Sequence, residues 1–299
     1  MERKQTEIWT EPIAKAMGLF LLLIICANQQ LAAQSFPIEK LLGYELLTTP
    51  QGESLRFLCS RKAPNTPEKK ALFLFIPAQI EQPLFSQSAS GYNDVLPFNH
   101  REYLDEFHFI VPALPQTPLV VASDSIPVKE KIITREEGFK NSTWKYIYQV
   151  ERLIIYLADQ AWVDSRTIVI AGYKDGGHLA ARIAQRNPQV THLIGLSMFP
   201  PDPATSPTLQ EIQDACTSLY YLTKFTGKSL LAFGTEDPNA SSYTPFLDVN
   251  EKSQNNRIDI LPFSGLNASF AIIDPWGRDA PESYWQEVGR QVIAWAMSP

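Results

Sequence analysis

The chain predicts an α/β fold, with a mostly parallel central sheet flanked by helices on both faces. Three observations carry this. From Trp144 onward, short apolar runs alternate with helical patterns, the rhythm of strand–helix–strand units. Ala71–Ile76 contains no polar residue, as expected of a strand buried on both faces. The β-branched run Arg166–Ala171 enters a tight turn with glycines at 172 and 176. It leaves as a helical pattern, Gly177–Ala184, with small residues that permit close packing.

In chain order, Leu42–Thr49 and Ser54–Arg61 predict two early strands around the turn Pro50–Glu53. Ala71–Ile76 follows as the first central strand. Residues 77–104 show few regular signals and are read as a long loop. There Phe85, Tyr92, Phe98 and Tyr103 pin the loop to the domain. Phe107–Val111 predicts a strand, and a stretch rich in Pro, Thr and Ser runs to Lys140. Trp144–Gln160 places Ile147, Val150, Leu153, Ile154 and Leu157 on one helical face. Next come the strand and helix around residue 174, then a strand at His192–Met198. A helix at Leu209–Thr226 has Ile212, Cys216, Leu219, Tyr220 and Leu222 on its apolar side. Strands at Ser229–Phe233 and Arg257–Leu261 bracket a helix at Tyr243–Ser253, and Pro281–Ala296 closes the chain as a helix.

The 299 residues are 44% hydrophobic and 19% charged, enough apolar surface for one sizeable core. A net charge of −6 with no basic stripe excludes nucleic acid as a partner. Ala16–Ala27 is an apolar run too short for a comfortable membrane span and suited to the core of a signal peptide. Small residues near Ala33 offer a cleavage point. The expected organisation is a signal peptide at 1–33 and a single domain at 34–299. That domain is exported to the periplasm or beyond and has no membrane span once the leader is removed. Cys59 and Cys216 would remain, read as separate buried thiols. No Cys/His spacing suits a metal, and no cofactor motif is present.

Gly172-Tyr173-Lys174-Asp175-Gly176 has the outline of a nucleophile elbow, G-x-S-x-G, in its strand–turn–helix context, with lysine where the serine belongs. Together with Leu96–Leu104, the stretch Ala161–Ala181 resembles secreted α/β-hydrolases of the esterase/peptidase-like kind found in Bacteroidota-type bacteria. The resemblance covers about residues 40–297. It implies the α/β-hydrolase fold and a triad ordered nucleophile, acid, histidine. By position, the nucleophile site is Lys174. The acid is Asp237, after the glycine turn that ends Phe233-Gly-Thr-Glu-Asp237. The histidine site is Ala268, flanked by Asn267 and Ser269. The oxyanion-hole positions are the backbone N–H of Asp175 and, after the third strand, that of Ala78. The loop carrying Ala78 has no glycine, and Pro77 has no N–H to give.

Only the acid of the triad survives, so the expected function is a non-catalytic cleft that binds a small molecule or a protein partner. Lys174 could attack an ester only to form a stable amide, with no turnover. The neighbouring Asp175 and Asp237 favour its charged form and oppose a Schiff-base role. Lys174 is expected to reach into the space of the missing imidazole and pair with Asp237. The alternative is an active ester or peptide hydrolase using Ser264 or Ser269 with His100, the histidine in the long loop. His108, His178 and His192 are read as structural, as a turn or core histidine usually is.

Overall fold

The computed structural model describes residues 42–49, 55–60, 68–80, 82–88, 91–114, 117, 120–122, 136–198, 220–240, 258–273 and 279–298. The leader at 1–33, the helix expected at Tyr243–Ser253, Cys216 and most of the helix expected at Leu209–Thr226 lie outside them. Residues 220–224 are helical, in keeping with the end of that last element.

Eight strands form the main sheet: β1 (Glu45–Thr48), β2 (Arg56–Ser60), β3 (Lys70–Ile76), β6 (Phe107–Ala113), β8 (Val163–Tyr173), β9 (His192–Leu196), β10 (Lys228–Gly234) and β11 (Ile258–Phe263). Their spatial order is β1-β2-β6-β3-β8-β9-β10-β11. β2 runs antiparallel to both neighbours, β1 and β6. All pairings from β6 to β11 are parallel. The order reverses at β3, so β3 and β8 are neighbours although long segments separate them. The crevice that such a reversal opens lies beyond the C-terminal strand ends. Both the post-β3 loop and the turn after β8 emerge there.

The central strands are buried as their composition demands: every residue of β3 and of β9 is shielded from solvent. α1 (Glu136–Ala158) lays its predicted face on the sheet, with Ile147, Val150, Leu153, Ile154 and Leu157 all buried. Each such side chain contributes about 1.5–3 kcal/mol relative to exposure. α2 (Asp175–Arg186) buries Ala180, Ala181, Ile183 and Ala184, and α3 (Trp285–Met297) buries Val288, Val292, Ile293 and Ala296.

Besides α1, which begins at Glu136 inside the stretch read as irregular and not at Trp144, two segments differ from the sequence expectation. The loop read at 77–104 contains β4 (Phe85–Ser88), β5 (Gly91–Asp94) and a 3-10 turn (His100–Tyr103). With β7 (Val120–Ala122), β4 and β5 form a small separate sheet. These strands are short and lack apolar alternation, so no periodicity announced them. The pinning role of the aromatics holds for Phe85 and Phe98, which are buried, Phe98 against Phe73 and Phe109. The second difference is near the C-terminus. Asp279–Ser283 is a strand, β13, paired antiparallel with β12 (Ala271–Ile273), and helix begins only at Trp285. Pro281 therefore sits in a short strand instead of a first helical turn.

His192, at the start of β9, is buried. Its Nδ1 lies 2.8 Å from Thr191 Oγ1, and its ring meets Trp295 edge-on. Burial, helped by the Lys228 charge, lowers its pKa to about 4. The unfolded chain titrates near 6.5, so below that pH the unfolded state takes up the proton first. Stability is therefore complete above about pH 6.5 and is lost as pH falls towards 4, by up to about 3 kcal/mol. Urea midpoints at pH 7 and pH 4.5 should show this loss, and His192→Gln should reduce it.

Candidate active-site cleft

The turn after β8 is built so that residue 174 stands out from the chain. Lys174 has φ 51° and ψ −119°, a conformation unusual for a non-glycine residue and characteristic of a sharp strand-to-helix elbow. Its N–H donates to the Leu196 carbonyl (2.9 Å) and its own carbonyl accepts from Gly177 (2.8 Å). Glycine is required on both sides by contact. A Cβ at Gly172 would overlap the Gly176 carbonyl, and one at Gly176 would overlap the carbonyl oxygens of Ile76 and Pro77. The second contact shows that the post-β3 loop abuts the elbow. The two oxyanion-hole positions, Asp175 and Ala78, thus come from adjoining segments. The helix itself begins at Asp175, two residues earlier than its sequence pattern suggested.

The acid and histidine positions converge on the same end of the sheet. Asp237 follows β10, and its loop is stitched to the one after β11. Thr235 N–H donates to Phe263 O (3.0 Å), Glu236 N–H to Leu266 O (2.9 Å), and Gly265 N–H to Thr235 Oγ1 (2.9 Å). A Cβ at Gly234 would strike the Leu266 and Asn267 carbonyls. Asn267 Oδ1 accepts from Ser269 N–H (2.8 Å) and Ala271 N–H (3.1 Å), which shapes the turn that carries Ala268. Ala268 is bound back to the elbow, because Tyr173 Oη donates to its carbonyl (3.1 Å). The Tyr173 ring packs edge-on against Trp285, which also meets Phe270. The structure thereby brings the segments that carry Lys174, Asp237 and Ala268 to the same end of the sheet. Tyr173 and Asn267 help to hold these segments together. Tyr173 occupies a variable position of the motif and Asn267 looked like a mere flank, so sequence reasoning did not assign them this work.

The expected Lys174–Asp237 ion pair is not formed. The Lys174 ammonium lies over the ring of its neighbour Tyr173, 4.9 Å from the centroid, a cation–π placement. Among the described residues no hydrogen bond or ion pair joins it to Asp237. The ammonium of Lys174 is instead engaged by the adjacent aromatic ring. Asp237 is 4% exposed. Its Oδ1 accepts from Asn239 N–H (2.8 Å), and its Oδ2 is buried with no hydrogen-bond partner. Burial pushes its carboxyl above the usual range, opposed by the Asn239 hydrogen bonds and by the Lys174 charge at longer range.

This acid is therefore held at a cost, and Asp237→Asn should stabilise the fold. A carboxyl whose pKa is raised on folding loses stability as pH climbs through the folded value. The gain from Asn should be on the order of 1 kcal/mol at pH 7–8 and vanish in acid, where the wild-type carboxyl is already protonated. Thermal unfolding of both proteins across pH 4–8 checks it.

Other candidate residues lie elsewhere. His100 is 2% exposed, stacked on Tyr44. Its Nδ1 sits 3.2 Å from Tyr44 Oη and 3.4 Å from Asp94 Oδ2. Its polar contacts thus anchor β5 to the residue preceding β1, and the structure does not join it to Ser264, which is exposed, or to Ser269, which is half-buried. His108 Nε2 lies 3.3 Å from the Trp162 carbonyl and His178 is half-buried on α2. Cys59 is buried in β2. Among the described residues no cluster of three or more His, Cys, Asp or Glu could hold a metal, and no helix is long and apolar enough to cross a membrane.

By sequence, the chain matches no known family model and no curated protein. By structure it is similar to several solved hydrolases. Dienelactone hydrolase from Anabaena variabilis aligns with TM-score 0.52 at 14% identity, covering 85% of this chain and 96% of that one. Acetyl xylan esterase 1 from Thermoanaerobacterium aligns with TM-score 0.51 at 12% identity, covering 85% and 88%. Dipeptidyl peptidase 4 from Porphyromonas gingivalis aligns with TM-score 0.56 at 14% identity, covering 84% of this chain but 35% of the peptidase. At such identities the likeness shows the fold. The eight-stranded mixed sheet with its flanking helices is the α/β-hydrolase fold, shared with an esterase, a dienelactone hydrolase and about a third of a dipeptidyl peptidase.

Proposed function

We propose that this chain is a non-catalytic α/β-hydrolase-fold protein, related to secreted esterases and peptidases, whose cleft binds a small molecule or a protein partner. The observation that carries this reading is the residue at the tip of the elbow. The backbone strain that normally presents a nucleophile is retained at Lys174, while the side chain is an ammonium resting on Tyr173. Ala268 supplies no proton shuttle, and Asp237 is left with an oxygen that nothing uses. Without nucleophile and base, acyl transfer has neither an attacking atom nor a route for its proton. The loop bearing Ala78 adds to this, since the preceding Pro77 can donate no hydrogen bond to a developing oxyanion. The apolar segment 16–27 supports export, with the mature domain acting outside the cytoplasm.

The test uses a fluorophosphonate probe and a panel of p-nitrophenyl esters. The wild-type protein should stay unlabelled and hydrolyse the esters no faster than Lys174→Ala. Labelling, or turnover clearly above that control, would favour the active-hydrolase alternative and overturn the reading.

A further inference from the structure

Helix α1 has a second face that the sheet does not use. Its buried stripe, Ile147, Val150, Leu153, Ile154 and Leu157, faces the core. On the opposite side Trp144, Tyr148 and Ile155 are each about half exposed. At about 100° per residue these three lie within about 40° of one another around the helix axis, in a row about 16 Å long. Arg152 joins the row, donating to Tyr148 Oη (3.2 Å) and lying over that ring.

Contacts carry the row onto two neighbouring segments. The Arg182 guanidinium of α2 stacks 3.3 Å from the centre of the Trp144 ring and lies 5.5 Å from that of Tyr221. Tyr221 meets the half-exposed Tyr220 edge-on, and the exposed Lys224 ammonium lies over Tyr220. Among the described residues no carboxylate pairs with Arg152, Arg182 or Lys224, and the buried Nε of Arg182 has no acceptor. Glu151, the acid within the row, is taken by Arg186 (2.6 Å), and Asp159 lies beyond the helix end. The patch therefore combines apolar rings with uncompensated positive charge, on a chain whose net charge is −6.

We propose that this patch seats the domain on an anionic phospholipid surface, with α1 lying along the bilayer plane. Trp144, Tyr148, Ile155 and Tyr220 enter the headgroup layer, while Arg152, Arg182 and Lys224 meet lipid phosphates. Tryptophan and tyrosine suit that depth because each joins an apolar ring to a polar tip. A guanidinium stacked flat on a ring keeps its edge for phosphate. A second copy of the chain is a poorer occupant, since it would bring the same three cations against one another. A protein partner is also disfavoured by size. The exposed parts of the four apolar side chains amount to about 400 Å², half of the ~800 Å² per partner typical of a stable interface. Adsorption to a bilayer has no such threshold, because it grows with apolar area and with each added cation. The export proposed above delivers the domain to a compartment bounded by phospholipid.

Flotation of the purified full-length protein with vesicles tests this. At low salt, vesicles of phosphatidylcholine containing one-third phosphatidylglycerol should bind it about 10²-fold more tightly than phosphatidylcholine alone, since each surface cation adds about fivefold. Arg152→Gln/Lys224→Gln should bind the mixed vesicles about 25-fold more weakly. Both side chains are exposed, and thermal unfolding checks that the variant is folded. The leader, with as many acidic as basic residues, is common to every protein compared. Trp144 gives a local readout: lipid brominated on its acyl chains should quench wild-type fluorescence more than that of Trp144→Phe. Equal binding to both vesicle types, unchanged binding by the double variant, or equal fractional quenching with and without Trp144 overturns the assignment. So does binding of poly-L-glutamate without binding of vesicles, which would identify an acidic polypeptide as the partner. None of these readouts involves the elbow, so the non-catalytic reading stands or falls separately.

Discussion

Restoring the two missing triad side chains together should restore hydrolysis: Lys174→Ser/Ala268→His is expected to cleave p-nitrophenyl acetate about 10²-fold faster than Lys174→Ser alone, the lower end of what a positioned general base contributes. The geometry argues for recovery. The elbow keeps the φ 51°, ψ −119° conformation that projects residue 174. The acid loop and the Ala268 loop are joined by three hydrogen bonds, and Tyr173 ties the Ala268 carbonyl to the elbow. Asp237 Oδ2 awaits a donor, which an imidazole N–H at 268 would supply. Lys174→Ser alone should remain close to background, because a serine hydroxyl without a base is a weak nucleophile. If the double variant is no faster than the single, the defect lies in the oxyanion hole, where Pro77 precedes Ala78. Steady-state kinetics on the three proteins, with fluorophosphonate labelling of the double variant, distinguish the outcomes.

The second large effect concerns the fold. Gly176→Ala is expected to cost about 3 kcal/mol or more and to leave little folded protein at 37 °C. Its new methyl would meet the carbonyl oxygens of Ile76 and Pro77, both backbone atoms at the buried end of β3, with no flexible side chain to yield. The damage reaches stability because β3 is central and wholly buried. Gly265→Ala is the contrast. Its Cβ meets nothing within 4 Å, so its φ of 75° is the main penalty, about 1–2 kcal/mol. Denaturant midpoints should separate the two by at least the difference. Equal midpoints would show that the β3 end relaxes easily.

Much of the main sheet was legible because burial leaves a mark on composition. β3 and β9 read as strands because residues shielded on both faces must be apolar. α1 read as a helix because Ile147, Val150, Leu153, Ile154 and Leu157 repeat at its period. The elbow was legible because contact with neighbouring backbone leaves room only for hydrogen at Gly172 and Gly176. β4, β5 and β7 were not legible. Their short strands are defined by hydrogen bonds to one another, and backbone pairing writes nothing on side-chain identity. Asp279–Ser283 misled for the same reason: Pro281 ahead of Trp285 looks like a helix start, but pairing with Ala271 and Ile273 keeps the segment extended.

For the cleft, the sequence by itself determined which chemistry is missing. Lysine at 174 and alanine at 268 are matters of identity, and so is the lone acid at 237. The tertiary structure alone decided what the survivors do. Sequence reasoning paired Lys174 with Asp237, as opposite charges near one turn invite. The Lys174 ammonium is instead engaged by the Tyr173 ring, and the loops around Asp237 bury Oδ2 without supplying a donor. Charges can be counted along a chain, but whether two of them meet depends on backbone direction and on which other group competes for each.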